Sequence, residues 1–162
     1  MEHRIASILC CVGLRGDSNG VLEQSTRLAL TTGAELHVLH VVKPLAEDVM
    51  NTLKANIRNQ ESLEGFMRQR IDMAREQLQT KLDEFFQHHP DDQQALASRV
   101  VSLEVLEGYP ASVINEVAAK QSHDFIVIAA NKHGLTASYA GKVAKGVLKR
   151  SHIPVIVVPG PA

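Results

Sequence analysis

Lysines on either side of a predicted loop are the residues whose type and spacing point most directly to chemistry in this chain. The apolar run Phe125-Ile126-Val127-Ile128-Ala129-Ala130 leads into Asn131-Lys132-His133-Gly134. Gly141-Lys142 then opens a helix bearing Lys145, Lys149 and Arg150, and Pro154-Val155-Ile156-Val157-Val158 follows. Strand, loop, helix and strand in that order build a βαβ unit. In open parallel sheets the loops at the carboxyl ends of the strands form the ligand crevice, so Lys132 and Lys142 border it. Two ammonium groups there suit an anion such as phosphate, and the plainer alternative is a pair of solvated lysines. Lys149 and Arg150 lie at the helix end, where cations complement the helix dipole.

Other reactive residue types do not assemble. Cys10 and Cys11 are adjacent on an apparent strand, so their thiols point to opposite faces and read as small buried hydrophobes. His37 and His40 are three apart on a strand, which also puts them on opposite faces and denies them a shared metal. His88-His89 ends a long helix and serves its C-terminus better than it serves a ligand. Arg15, Asp17, Ser18, Asn131 and His133 occupy loops after strands without forming a recognisable nucleophile and base, so no catalytic site is assigned and the chain is not read as an enzyme.

Charge is unevenly spread. The chain carries a net charge of −1, and no carboxylate follows Asp124, leaving only Lys132, Lys142, Lys145, Lys149 and Arg150 in the last segment. Five dispersed cations without interleaved aromatic residues are a thin footprint for nucleic acid, and no nucleic-acid partner is expected. With 162 residues and 44% hydrophobic content, the chain fits one domain spanning 1–162. No apolar stretch is long enough to span a bilayer and Met1-Glu2-His3-Arg4 has no signal-peptide pattern, so a soluble cytoplasmic protein without membrane insertion is expected.

The elements that must position these residues follow from periodicity. Ile5 to Val12 reads as a central strand. Val21, Leu22, Ser25, Leu28 and Ala29 mark a helix ending at Gly33, and Leu36 to Val42 forms a second strand. Val49, Met50, Leu53 and Ile57, continued by Leu63, Phe66, Met67, Ile71, Ala74, Leu78, Leu82 and Phe85, trace a long amphipathic helical pattern. His89-Pro90-Asp91-Asp92 breaks it, and the polar run to Ser98 reads as a connection. Arg99 to Leu106 alternates like an outer strand with one wetter face. Pro110 opens a helix whose Val113, Ile114, Val117 and Ala118 face the sheet. The sum is an α/β fold, a five-stranded parallel doubly wound sheet of flavodoxin-like order 3-2-1-4-5 with helices on both faces.

Ile8-Leu9, the passage Gly33-Ala34-Glu35-Leu36 to His40-Val41-Val42, Gly108-Tyr109-Pro110 to Ile114, and Asp124-Phe125-Ile126-Val127 with Pro154-Val155-Ile156-Val157-Val158 together resemble the universal stress protein family. The resemblance covers nearly the whole chain and implies the five-stranded sheet, a homodimer, and ATP binding in some members but not others. Nucleotide-binding members carry an acidic residue after the first strand and a Gly-x2-Gly-x9-Gly-Ser/Thr motif after the fourth. Here the acidic position falls on Gly13, the first two glycines on Ala129 and Lys132, and the last pair on Gly141-Lys142 after a one-residue contraction.

Ala129 and Lys132 add side chains where glycine lets backbone N–H groups approach a phosphate, and Lys142 lacks the hydroxyl donor. The resemblance is therefore to the universal stress protein A branch, without a tight nucleotide cofactor. By the same resemblance Val41 and Ile128 flank the adenine position, and Gly13, Val41, Ile128, Ala129, Asn131, Lys132, Gly141 and Lys142 outline a degenerate crevice. The implied function is a stress-response homodimer, paired through its fifth-strand edge, that binds a protein partner. The alternative is a sensor of adenine nucleotide or another anion.

Overall fold

The computed structural model describes residues 4–15, 18–91, 93–130 and 141–160. Five parallel strands, β1 (Ser7–Cys11), β2 (Glu35–Val42), β3 (Val100–Glu107), β4 (Phe125–Ala129) and β5 (Val155–Val158), lie in the order β3-β2-β1-β4-β5. Around them run α1 (Asn19–Thr32), α2 (Glu47–Asn56), α3 (Gln60–Gln87), α4 (Gln93–Arg99), α5 (Pro110–Lys120) and α6 (Lys142–Arg150). The expected doubly wound order is therefore observed. It places the topological switch between β1 and β4, the central strands, whose runs of apolar residues are buried on both faces.

Alternation along the strands divides the core in two. Ile8, Cys10, Leu36 and Val38 join α1, α3 and α4 through Leu22, Ala29, Leu78, Phe85 and Leu96. Leu9, Leu39, Ile126 and Ile128 meet α5 and α6 through Ile114, Val117, Ala144 and Val147. Each of the Leu, Ile, Val and Phe side chains contributes roughly 1.5–3 kcal/mol by leaving water. The two thiols divide as expected: Cys10 is buried on the first face and Cys11 packs against the second, and burial pushes both up, Cys10 to about 12. Gly33 ends α1 at φ 76, the left-handed region, with its N–H bonded to Ala29. At Gly146 an added Cβ would come within 2.7 Å of Ala111, so this glycine lets α5 and α6 pack closely.

The helical periods of Val49 to Ile57 and of Leu63 to Phe85 form two helices: Ile57 turns extended at φ −108, and Asn59 caps α3 by accepting from the N–H groups of Glu61 and Ser62. One expectation is corrected. The stretch before Ser98, read as a connection, forms most of α4; Leu96 is its one buried side chain and anchors it to the first core.

Candidate functional site

The carboxyl ends of β1, β2 and β4 bring most of the expected crevice residues to one side of the sheet. Gly13 follows β1, Val41 lies near the end of β2, Ile128 and Ala129 close β4, and Gly141 and Lys142 start α6. Asn131 and Lys132 lie outside the described residues. Val41 is half-buried and Ile128 is buried, both within the core shared with α5 and α6. Gly13 supplies no carboxylate, and its carbonyl accepts the Ser18 hydroxyl at 2.6 Å.

Several backbone donors around this crevice are already engaged. Val12 N–H bonds Leu39 at 2.9 Å, Ala130 N–H bonds Val158 at 2.8 Å, and Gly141 N–H bonds Ala130 at 2.6 Å. Beneath them His40 donates Nδ1–H to the Val12 carbonyl at 2.7 Å. Burial, with the Lys81 ammonium as a smaller cause, holds His40 below the ordinary imidazole range despite that bond. His40 is thus neutral near pH 7 and adds no cation.

Two features still favour an anion. α1 and α6 both begin without a side-chain cap and without an acidic residue in the first turn, so their positive dipole ends are uncompensated from within. Lys142, exposed at the first position of α6, opposes the helix dipole and has no ion pair with a described carboxylate. Beside the α1 terminus a depression of about 350 Å³ is lined by Asn19, Gly20, Glu23, Ala129 and Val158. Glu23 sets a carboxylate there, which disfavours the anion that the helix ends attract.

The opposite end of the sheet holds a polar cluster that sequence reasoning missed. His123 Nε2–H donates to Gln121 Oε1 at 3.0 Å, leaving Nδ1 to accept the Ser7 hydroxyl at 2.6 Å. The His37 ring lies 4.7 Å away, edge on, and its Nδ1 pairs with the Ser102 hydroxyl at 2.7 Å. Asp124 accepts the N–H groups of Ala6 and Ser7 at 2.8 and 3.0 Å. Ser122, at φ 56, and the His123 N–H bond to Ala118 close α5 and aim the imidazole inward.

A serine hydroxyl on an imidazole has the outline of a nucleophile and base, but the electrostatics point elsewhere. His123 is 4% exposed, and burial followed by the charge of His37 pushes it down to about 4, too weak a base to activate serine near pH 7. The carboxylate that would orient such a base holds the β1 backbone instead. The cluster is a clasp between β1 and β4. The only signal for it in the sequence is His123-Asp124 immediately before a strand, since its partners lie 116 to 118 residues away.

Among the described residues no group of His, Cys, Asp and Glu is arranged to hold a metal ion, and no helix is long and apolar enough to cross a membrane. The chain matches the universal stress protein family over residues 5–159. Universal stress protein MJ0531 of Methanocaldococcus jannaschii is 44% identical over 62 residues, a stretch that spans 38% of this chain and 36% of that protein. Of solved structures, hypothetical protein MJ0577 aligns with a TM-score of 0.65 at 20% identity over 98% of both chains. A universal stress protein in complex with cAMP aligns at 0.54 with 13% identity, over 96% of this chain and 98% of that one.

Proposed function

The chain belongs to the universal stress protein family, and from that premise we propose that it is a non-enzymatic cytoplasmic homodimer of the universal stress protein A branch, contributing to stress resilience by binding a protein partner. The observation that carries this reading is the outer edge of β5, with which no other strand of the described residues pairs. Ile126 N–H bonds the Pro154 carbonyl and Ala130 N–H bonds the Val158 carbonyl, so even-numbered β5 residues face β4. In a parallel ladder this parity turns the N–H and C=O of Val155 and Val157 outward. Both residues are only half-buried and apolar, the kind of edge that pairs with another strand. In this reading the crevice is not a tight ATP site: Gly13 lacks the carboxylate and Lys142 replaces the hydroxyl residue.

Val157→Lys tests the dimer by setting a charge in the pairing edge. Light scattering is expected to show a monomer; an unchanged dimer contradicts this interface.

A second reading is favoured by the uncapped starts of α1 and α6: a sensor of adenine nucleotide or another anion. The structural neighbour holding cAMP is consistent with it. Replacing Lys132 and Lys142 by alanine separates the two readings, because a sensor loses ligand affinity whereas a partner-binding dimer shows no ligand effect.

A further inference from the structure

α3 is too long for the sheet it covers. Its 28 residues rise about 42 Å, against about 26 Å for the eight-residue strands β2 and β3. Arg70 marks the point where the helix leaves the sheet: its guanidinium donates to Glu107 at 2.9 Å and to the Lys43 carbonyl at 3.1 Å, both at the carboxyl ends of those strands. From Ile71 to Phe85 the helix packs its apolar face on the first core. Residues 60–69 therefore stand beyond the sheet, where they face α2. α2 has no buried side chain, and Leu63 of α3 is buried although it joins neither core.

The two helices do not close on one another. A cavity of about 490 Å³ lies between them, its apolar lining made by Met50, Leu63 and Met67. Gln60, Leu63, Glu64, Met67 and Arg68 recur at helical spacing, so one face of α3 supplies most of the lining, and Met50 and Lys54, one turn apart, supply the share of α2. That volume falls within the range of small-molecule sites, which pair an apolar lining with a few polar groups. The polar groups here are chiefly cationic. Lys54 and Arg68 are exposed and form no ion pair with a described carboxylate. Glu64, the carboxylate of the lining, accepts instead from Gln60 Nε2 at 3.2 Å. Apolar side chains beside two such cations match a ligand with an apolar chain and an anionic head.

We propose that the space between α2 and α3 binds a single-chain anionic amphiphile, an alkyl chain ended by a carboxylate. The chain lies against Leu63 and the adaptable thioethers of Met50 and Met67, and Lys54 and Arg68 hold the carboxylate. A free monomer is favoured over a membrane surface because Glu47, Asp48 and Glu61 stand exposed on the same two helices and repel an anionic leaflet. The site shares no residue with the crevice or the β5 edge, so it adds a ligand to the proposed function without resting on it.

Isothermal titration of the full chain with dodecanoate, kept below its micellar concentration, tests the proposal. One equivalent is expected to bind, octanoate to bind about tenfold more weakly or worse, and dodecylammonium not to bind. Combining Lys54→Glu with Arg68→Glu should cost about tenfold in affinity. Met50→Gln, a change on a helix with no buried side chain, should also weaken binding, and circular dichroism verifies that each variant is folded. Lys142→Ala should leave the affinity unchanged. No binding of dodecanoate, equal affinity for the folded charge-reversed variant, or equal binding of dodecylammonium would overturn the proposal. A loss of affinity with Lys142→Ala would overturn it by placing the ligand in the crevice. Flotation with phosphatidylglycerol vesicles by a protein that ignores dodecanoate would overturn it in favour of a membrane surface.

Discussion

The two ends of the sheet use polar groups in opposite ways. Where β1 and β4 begin, Ser7, His123, Gln121, His37, Ser102 and Asp124 engage one another or the backbone, in a half-buried cluster around the buried His123. Where the strands end, α1 and α6 start uncapped, Gly13 presents no side chain and Lys142 stands exposed against its own helix dipole. Satisfied polar groups around a buried imidazole fix one geometry, whereas unsatisfied ones on a rim await a partner or water. The titratable residues of the clasp thus serve stability, whereas at the carboxyl end, where parallel sheets bind ligands, the described residues leave two helix starts without side-chain caps.

Removing the clasp carboxylate should give the largest effect. Asp124→Ala leaves the N–H groups of Ala6 and Ser7 without their acceptor, and urea denaturation is expected to show a loss of about 3 kcal/mol. A loss below about 0.5 kcal/mol would mean that water replaces the carboxylate at little cost.

Acid is expected to open the same end. His123 titrates at about 4 in the fold against the ordinary 6.5, so the folded state disfavours its protonation. The resulting stabilisation is complete above pH 6.5 and is lost as pH falls toward 4, amounting to about 3 kcal/mol at the acid limit. Burial of His40 acts in the same direction. Thermal melts from pH 7 to 4 check this: a His123→Gln variant should lose much of the dependence, and an unchanged slope would place it in other groups.

At the carboxyl end the expected change is small and of opposite sign. Lys142→Ala removes a cation from the start of α6 and should stabilise the fold by about 0.5 kcal/mol. Destabilisation by this substitution would show that Lys142 has a structural task and that the contrast between the two ends is drawn too sharply.

How much of this was legible in the sequence depended on the range of the interactions. Sheet order followed from alternating apolar strands and helices. The opposite faces of His37 and His40 followed from a period of two, and the end of α1 from Gly33. The break between α2 and α3 shows in the six-residue step from Ile57 to Leu63, which leaves the helical period, and in Asn59, which marks a new start. α4 was hidden because a mostly polar segment is held by the single buried Leu96. The clasp left only His123-Asp124 before a strand as a sign, since neither Ser7 nor His123 points to a partner more than a hundred residues away. Within the crevice, strand ends could be located from sequence, and Gly13, Ala129, Gly141 and Lys142 indeed lie there; that the Gly141 N–H is engaged by the Ala130 carbonyl required the fold.

Native mass spectrometry of freshly purified protein, with and without Mg-ATP, tests the central claim most directly because it reports assembly and bound ligand together. A ligand-free dimer whose mass does not change with ATP is the predicted result. A stoichiometric nucleotide adduct would contradict it, showing that the lysines and open helix ends replace the missing glycines and that the carboxyl end remains a working nucleotide site.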